Sequence, residues 1–337
     1  MEISWQIVRH QLASPFGISK GVYTHRNALI LTLAQDNHQG YGEATEIPYY
    51  HIRLGRLIDL LQDHLTPLRA IELDTPAQYF EHISPLLNAE PFLLSAFDCA
   101  AHDLYGKINQ RKIVNFLGYS ETDPTPLSSY TIGLAEPAVM QQKIQAKPWP
   151  LYKIKLAGRN DLLLLQTLRE VTPAPFVIDA NEAWSIEQTQ EYLPALADLN
   201  VQMVEQPVHR DIEQDLTQIK ERPVPIFADE SCRNLADIKK CATLYDGINI
   251  KLMKCGGLTP AHAMIEKART QNLQVMVGCM TESSIGISAA AQLAPAVDFL
   301  DLDGAMLLDH DPAIGVRFEN GKLIYAEAFG NGCLISE

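Results

Sequence analysis

Five charged residues stand at nearly even intervals in the second half of the 337-residue chain: Lys155, Asp179, Glu205, Asp229 and Lys251, spaced 24, 26, 24 and 22 residues apart. Each closes a short apolar run, from Tyr152-Lys153-Ile154-Lys155 to Gly247-Ile248-Asn249-Ile250-Lys251. About two dozen residues is the length of one βα unit with short connections. In a closed parallel barrel the C-terminal ends of all strands meet on one face, where catalytic groups sit. The spacing therefore predicts an α/β barrel that gathers three carboxylates and several lysines at its mouth.

The remaining pattern agrees. Strands are expected at 127–132, 151–156, 176–181, 202–206, 225–229, 247–252, 274–278 and 298–303, with helices at 161–171, 186–199 and 260–270 among them. No dinucleotide-type glycine fingerprint opens the first βα turn, which favours a barrel over an open sheet. Ahead of this lie three strand-like runs, at 3–9, 28–33 and 40–44, then helical patterns at 54–65, 76–87 and 91–107. Strands followed by helices make an α+β unit, and 121–126 reads as the linker after it. Residues 14–27 read as a polar loop holding Lys20, Gly21, His25 and Arg26, either plainly solvated or carrying specificity. On the 91–107 helix, Asp98, His102 and Asp103 read as surface or packing polar groups. The tail at 316–325 holds Asn320-Gly321, a two-residue hairpin signal. It is expected to have no part in the barrel and to return to the N-terminal unit.

Acidic residues exceed basic ones by 41 to 27, a formal charge of −14. That argues against nucleic acid or an anionic membrane as partner, since both demand basic patches. No apolar run approaches the ~20 residues of a membrane span, and residues 1–10 lack the features of a signal peptide. The six cysteines form no CxxC pair, which suits reduced thiols in a cytoplasmic protein.

An acidic residue ending one strand can simply cap the next helix. Three on consecutive strands repel one another and stay ionised only beside strong positive charge. Asp179, Glu205 and Asp229 offer the all-oxygen ligand set that Mg²⁺ prefers, and no His or Cys accompanies them to suggest zinc. Asn181 and Glu230 are expected to support those ligands by hydrogen bonds. Lys155 and Lys251 stand across the mouth from each other as candidate general bases, which need a depressed pKa. Lys153 is expected to neutralise a substrate carboxylate or a ligand, and Lys254 to be solvated. Gly256-Gly257 fits either an anion cradle or a tight turn. Motifs for P-loops, zincins, nucleophile elbows and EF-hands are missing.

Lys153-Ile154-Lys155, Asp179-Ala180-Asn181, Val204-Glu205-Gln206-Pro207, Ala228-Asp229-Glu230-Ser231 and Asn249-Ile250-Lys251 together resemble the enolase superfamily, in its muconate-lactonising-enzyme subgroup. Val277-Gly278-Cys279-Met280 and Asp301-Leu302-Asp303-Gly304 resemble the dipeptide epimerases, with the L-Ala-D/L-Glu epimerases nearest. The resemblance implies a (β/α)7β-type TIM-like barrel over residues 123–311. An α+β capping domain would be built from residues 1–122, with the tail at 312–337 returning to it. It implies Mg²⁺ on Asp179, Glu205 and Asp229, Lys155 and Lys251 as an acid–base pair, and Asp301 and Asp303 holding the ammonium of a dipeptide. Mg²⁺ on the substrate carboxylate would stabilise the enediolate, as is general for this superfamily. Lys20 in the 14–27 loop would read an acidic second side chain, or Arg26 would if the loop aligns differently. Further implications are a small-molecule dipeptide as partner and a place in peptidoglycan-peptide metabolism. Whether copies assemble into a homo-oligomer stays open. A cycloisomerase or o-succinylbenzoate synthase of the same subgroup would leave Asp301 and Asp303 unexplained. A non-catalytic Mg²⁺-binding barrel would leave the two lysines unexplained.

Overall fold

The structure, a computed structural model, describes residues 1–158 and 160–336. The chain opens with an antiparallel sheet of β1 (Glu2–Ile18), β2 (Gly21–Gln35) and β3 (His38–Thr45). Leu29, Leu31 and Leu33 alternate onto one face of β2, while Ile30 on the other face is buried with Ile285 and Ala313. The leucines pack against α1 (Leu54–Asp63), α2 (Leu65–Ala70), α3 (Pro76–Leu87) and α4 (Pro91–Ile108). The small residues of α4 have a reason here. Ala96 and Ala100 lie directly on β3, so close that a Cβ at Gly42 or Gly40 would collide with their carbonyls.

Residues 14–27 are not a loop. β1 and β2 run on to a hairpin tip, pairing Phe16 with Tyr23, Gly17 with Val22 and Ile18 with Gly21. A register shift between Gln11 and Phe16 changes which side chains face inward, and such a bulge erases the two-residue alternation by which a strand is read. Of the two readings of the α4 acids, packing holds and surface does not: both acids are buried. Asp98 accepts bonds from the Thr259 backbone N–H and hydroxyl, both at 2.8 Å. Asp103 accepts from the backbone N–H of Tyr41 and Asn331, both at 3.0 Å, and from Lys107 at 2.7 Å.

After α5 (Ile113–Phe116) the chain enters the barrel. Its strands are β4 (Tyr130–Ile132), β5 (Tyr152–Lys155), β6 (Phe176–Asp179), β7 (Val201–Glu205), β8 (Ile226–Ala228), β9 (Gly247–Ile250), β10 (Gln274–Gly278) and β11 (Phe299–Asp301). All eight are parallel and lie side by side in chain order. The outer helices are α6 (Pro137–Ala146), α7 (Asp161–Arg169), α8 (Ile186–Asp198), α9 (Ile238–Leu244), α10 (Leu252–Cys255), α11 (Leu258–Thr270) and α12 (Ser284–Ala290). Between β7 and β8 the connection carries a 3₁₀ segment, Glu213–Gln218, instead of an α-helix. The lower interior is filled by Leu151, Val177, Met203, Phe227 and Met276, so polar side chains from the strand ends collect above an apolar floor.

The seam between β11 and β4 is closed largely by side chains. Ser128 and Leu300 form one backbone bridge. Beyond it, Ser129 Oγ donates to Asp301 at 2.7 Å, and Thr131 donates to Asp303 through its backbone N–H at 2.6 Å and its hydroxyl at 3.2 Å.

The tail pairs β12 (Ala313–Ile314) with β15 (Leu334–Ile335) and forms a hairpin of β13 (Arg317–Glu319) and β14 (Lys322–Ile324). Asn320 and Gly321 both have positive φ, 49° and 77°, as the tight hairpin turn demands. Contrary to expectation this hairpin belongs to the barrel. Phe318 and Leu323 pack on the barrel core, and the Gly321 carbonyl accepts from the Ser128 N–H at 2.8 Å. The part that returns to the N-terminal unit comes later. The Gly330 carbonyl accepts from Ile113 N–H at 2.9 Å, and Asn331 reaches Asp103.

Candidate functional site

Strand register brings the charged residues to one level. Lys155 is paired across the sheet with Asp179, and Asp179 with Glu205. Glu205 pairs with Phe227, so Asp229 lies two residues further up its strand, on the same face. Lys251 follows β9, and Asp301 pairs with Gly278 at the top of β11. In the eight-strand order β5 and β9 stand four places apart. Lys155 and Lys251 therefore face each other across the mouth.

Asp179, Glu205, Asp229 and Asp301 each meet an ammonium group. Lys155 Nζ lies 2.5 Å from Asp179 Oδ2, and Lys251 Nζ 2.8 Å from Asp229 Oδ2. Lys153 is buried between Glu205 Oε2 at 2.5 Å, Asp301 Oδ2 at 2.7 Å and Asp179 Oδ2 at 3.4 Å. Burial works against the charge on Asp179, but Lys155 and Lys153 outweigh it and hold the carboxyl below its usual range. Burial works against the charge of Lys251 too, and Asp229 and Glu205 overcome it, so its pKa is raised, not depressed. Glu205 is pushed up by burial and by the negative charge of Asp179. Glu230, buried and close to Asp229, is pushed up to about 8.

Lys254 is the clear correction. It is not solvated but buried beneath Asp229, its ammonium 2.5 Å from Asp229 Oδ1. Three residues along a short helix turn it back under the strand ends, which no strand-period reading of the sequence reveals. Two more residues were missed. Asn249 Nδ2 donates to Glu205 Oε1 at 2.6 Å, and Gly278 leaves room for that amide because a Cβ there would meet it. Gln206 Oε1 accepts from the Asp229 N–H at 2.9 Å and from Ser231 N–H at 3.2 Å. The sequence signal for Asn249 is a polar side chain inside an apolar strand.

Several oxygens at the mouth lack a hydrogen-bond donor. Asn181 Oδ1, Glu230 Oε2 and Asn249 Oδ1 are buried without one, whereas Glu205 Oε2 is met by the Lys153 ammonium at 2.5 Å. The unmet oxygens are costly unless a ligand meets them. Among the described residues no three His, Cys, Asp or Glu side chains already converge at ligating distance, because lysines hold the carboxylates. An all-oxygen donor set with unmet acceptors, on three adjacent strands, nevertheless fits a hard divalent cation. Backbone strain marks the same place, with Asn181, Glu182 and Gln206 at φ of 44°, 66° and 37°.

The hairpin tip roofs this mouth over a narrow cavity of about 60 Å³. Lys153, Lys155, Lys251, Asp301 and Asp303 reach it from the barrel, and Ile18, Arg26 and Tyr49 from the roof. Arg26 is buried with its guanidinium 3.5 Å over the Tyr23 ring, and its Nε lacks a partner. Lys20 lies outside the lining, at the rim, 3.5 Å from Glu182.

A family model described as Enolase C-terminal domain-like matches residues 137–337. The chain belongs to the enolase superfamily. Within it, the chain is 42% identical to an L-Ala-D/L-amino acid epimerase of Maribacter sp. over all of both chains. It is 36% identical to an L-Ala-D/L-Glu epimerase of Bacteroides thetaiotaomicron, over 88% of this chain and 78% of that one. A solved dipeptide epimerase of Cytophaga hutchinsonii, complexed with Mg and D-Ala-L-Val, superposes with a TM-score of 0.91 at 27% identity, covering 99% of this chain and 95% of that one. For an enolase-superfamily member, the mouth of the barrel beneath the hairpin is thus the site to explain.

Proposed function

We propose that the protein is a Mg²⁺-dependent dipeptide epimerase that inverts the α-carbon of the C-terminal residue by two-base 1,1-proton transfer. The observation that carries this reading is the placement of Lys155 and Lys251 on opposite sides of one carboxylate cluster. Asp179, Glu205 and Asp229 hold the cation, with Asn181 and Glu230 beside them. When bound, Mg²⁺ balances these carboxylates and stabilises the charge that builds on the substrate carboxylate as its α-proton leaves.

The lysines do the rest. One, neutral, takes the α-proton from one face, and the other, protonated, delivers a proton to the opposite face, so the centre inverts with nothing gained or lost. Each is released from its carboxylate, Asp179 or Asp229, to do so. Lys153 is enclosed by Glu205 and Asp301, so it neutralises a ligand instead of meeting the substrate carboxylate. Asp301 and Asp303 receive the ammonium of the first residue. The names borne by the relatives support L-Ala in the first position; in the second, the Bacteroides relative is named for D/L-Glu and the Maribacter relative for D/L-amino acids at large. We assign the reading of an acidic second side chain to Arg26, which lines the cavity, in place of Lys20, which does not. A cytoplasmic setting suits six unpaired cysteines, and peptides from peptidoglycan turnover would supply the substrate.

Solvent exchange tests the scheme. In D₂O with Mg²⁺, the wild type should epimerise L-Ala-L-Glu and place deuterium on the Glu α-carbon. Lys155→Ala and Lys251→Ala should both stop epimerisation, while each still exchanges the α-proton of one epimer. Near wild-type epimerisation by either variant would rule out the two-base scheme.

A further inference from the structure

We propose that Lys254 is a positioning residue that fixes the orientation of Asp229 and thereby tightens Mg²⁺ binding. The inference rests on the reading of Asp229 as a Mg²⁺ ligand. Lys254 belongs to α10 and is buried, with 2% of its surface exposed. Its ammonium meets Asp229 Oδ1 at 2.5 Å, the Asp229 carbonyl at 2.6 Å, the Cys232 carbonyl at 3.0 Å and the Asn249 carbonyl at 3.1 Å. Four acceptors enclose three protons. This ammonium is fully committed and does not line the cavity, so it neither touches substrate nor carries a proton.

What it does is geometric. Lys254 binds the side-chain and main-chain oxygens of the same residue, which locks the Asp229 rotamer. It also ties Asp229 to Asn249, whose amide in turn holds Glu205. Asp229 Oδ2 is left for the mouth, where it meets Lys251. The two lysines thus divide one carboxylate: Lys251 faces the substrate, and Lys254 holds from below. An ammonium buried here is tolerated because a carboxylate and three carbonyls meet it.

Charge and geometry predict opposite signs, and this makes the inference testable. As a charge, Lys254 repels a divalent cation, so its removal should tighten Mg²⁺ binding. As a positioning group, its removal should weaken it. Outer partners of metal ligands typically change affinity by about 10–100-fold. Titration calorimetry of Mg²⁺ into wild type and Lys254→Met, without substrate, should give a Kd raised about 10–100-fold in the variant. A packing defect alone would lower Tm and leave Kd unchanged. If Lys254→Met does not yield folded protein, Lys254→Gln keeps two donors near the same carbonyls and should also raise Kd. An unchanged or lower Kd in a folded variant overturns the inference and leaves the metal site standing. No binding heat in the wild type overturns both.

Discussion

Asp303 is held on both oxygens by Thr131, through the backbone N–H and the hydroxyl. Burial and the negative charge of Asp301 push its carboxyl up to about 7. The same group closes the barrel seam and is expected to meet the substrate's ammonium, so the choice of substitution matters. Asp303→Asn keeps an acceptor for Thr131 and removes the charge. Leaving an ammonium unpaired in a closed site costs about 2–5 kcal/mol, so kcat/KM for a free-amine dipeptide should fall by at least about 30-fold. An N-acetylated analogue should lose far less, and equal losses would refute the assignment. Arg26 invites a second comparison at this scale. Arg26→Ala should erase a preference for L-Ala-L-Glu over L-Ala-L-Leu in kcat/KM, whereas Lys20→Ala should leave it in place. A preference lost only with Lys20 would return the role to the rim lysine.

At the level of elements, the five barrel strands β5 to β9 were readable because each is short, apolar and closed by a charge at a regular interval. Asp179 and Glu205 fall on one rung as that interval requires. What could not be read depended on chain reversal. Lys254 is three residues from Lys251 yet points beneath the neighbouring strand, and the β1–β2 hairpin hid behind its bulge. Gly256-Gly257 is a similar case. It proves to be a tight junction, with Gly257 at φ 124° and a Cβ there falling 2.4 Å from Asp98 Oδ2. At its neighbour Gly256, with φ 100°, a Cβ would come nearest the flexible Leu94 side chain, at 3.1 Å. Backbone strain alone costs about 1–3 kcal/mol. Gly256→Ala should therefore lose about that much in urea unfolding, and Gly257→Ala distinctly more, because it also pushes Asp98 off Thr259. Equal losses would mean that the Asp98 contact carries no weight.

Over the whole molecule, the N-terminal unit and the barrel meet through buried polar groups. Glu43 accepts from the Ser283 backbone N–H at 3.1 Å and from its hydroxyl, at the start of α12, and is backed by His10 at 2.9 Å. Burial disfavours charge on His10, but the Glu43 bond and the charges of Glu43 and Asp311 outweigh it and raise its pKa. A base whose folded pKa is raised adds stability that is complete below its unfolded value, about 6.5, and fades as pH climbs through the folded one. His10→Asn should thus be less stable than wild type by about 1–3 kcal/mol near pH 6. The gap should shrink in urea titrations at higher pH, and a gap independent of pH would exclude the linkage. The junction has a further consequence. Asp98 and Glu43, both from the N-terminal unit, satisfy the first turns of α11 and α12. Roof and barrel are therefore not interchangeable modules. A roof transplanted from a relative to alter substrate choice must bring carboxylates to these two helix starts, so specificity and scaffold are inherited as one piece.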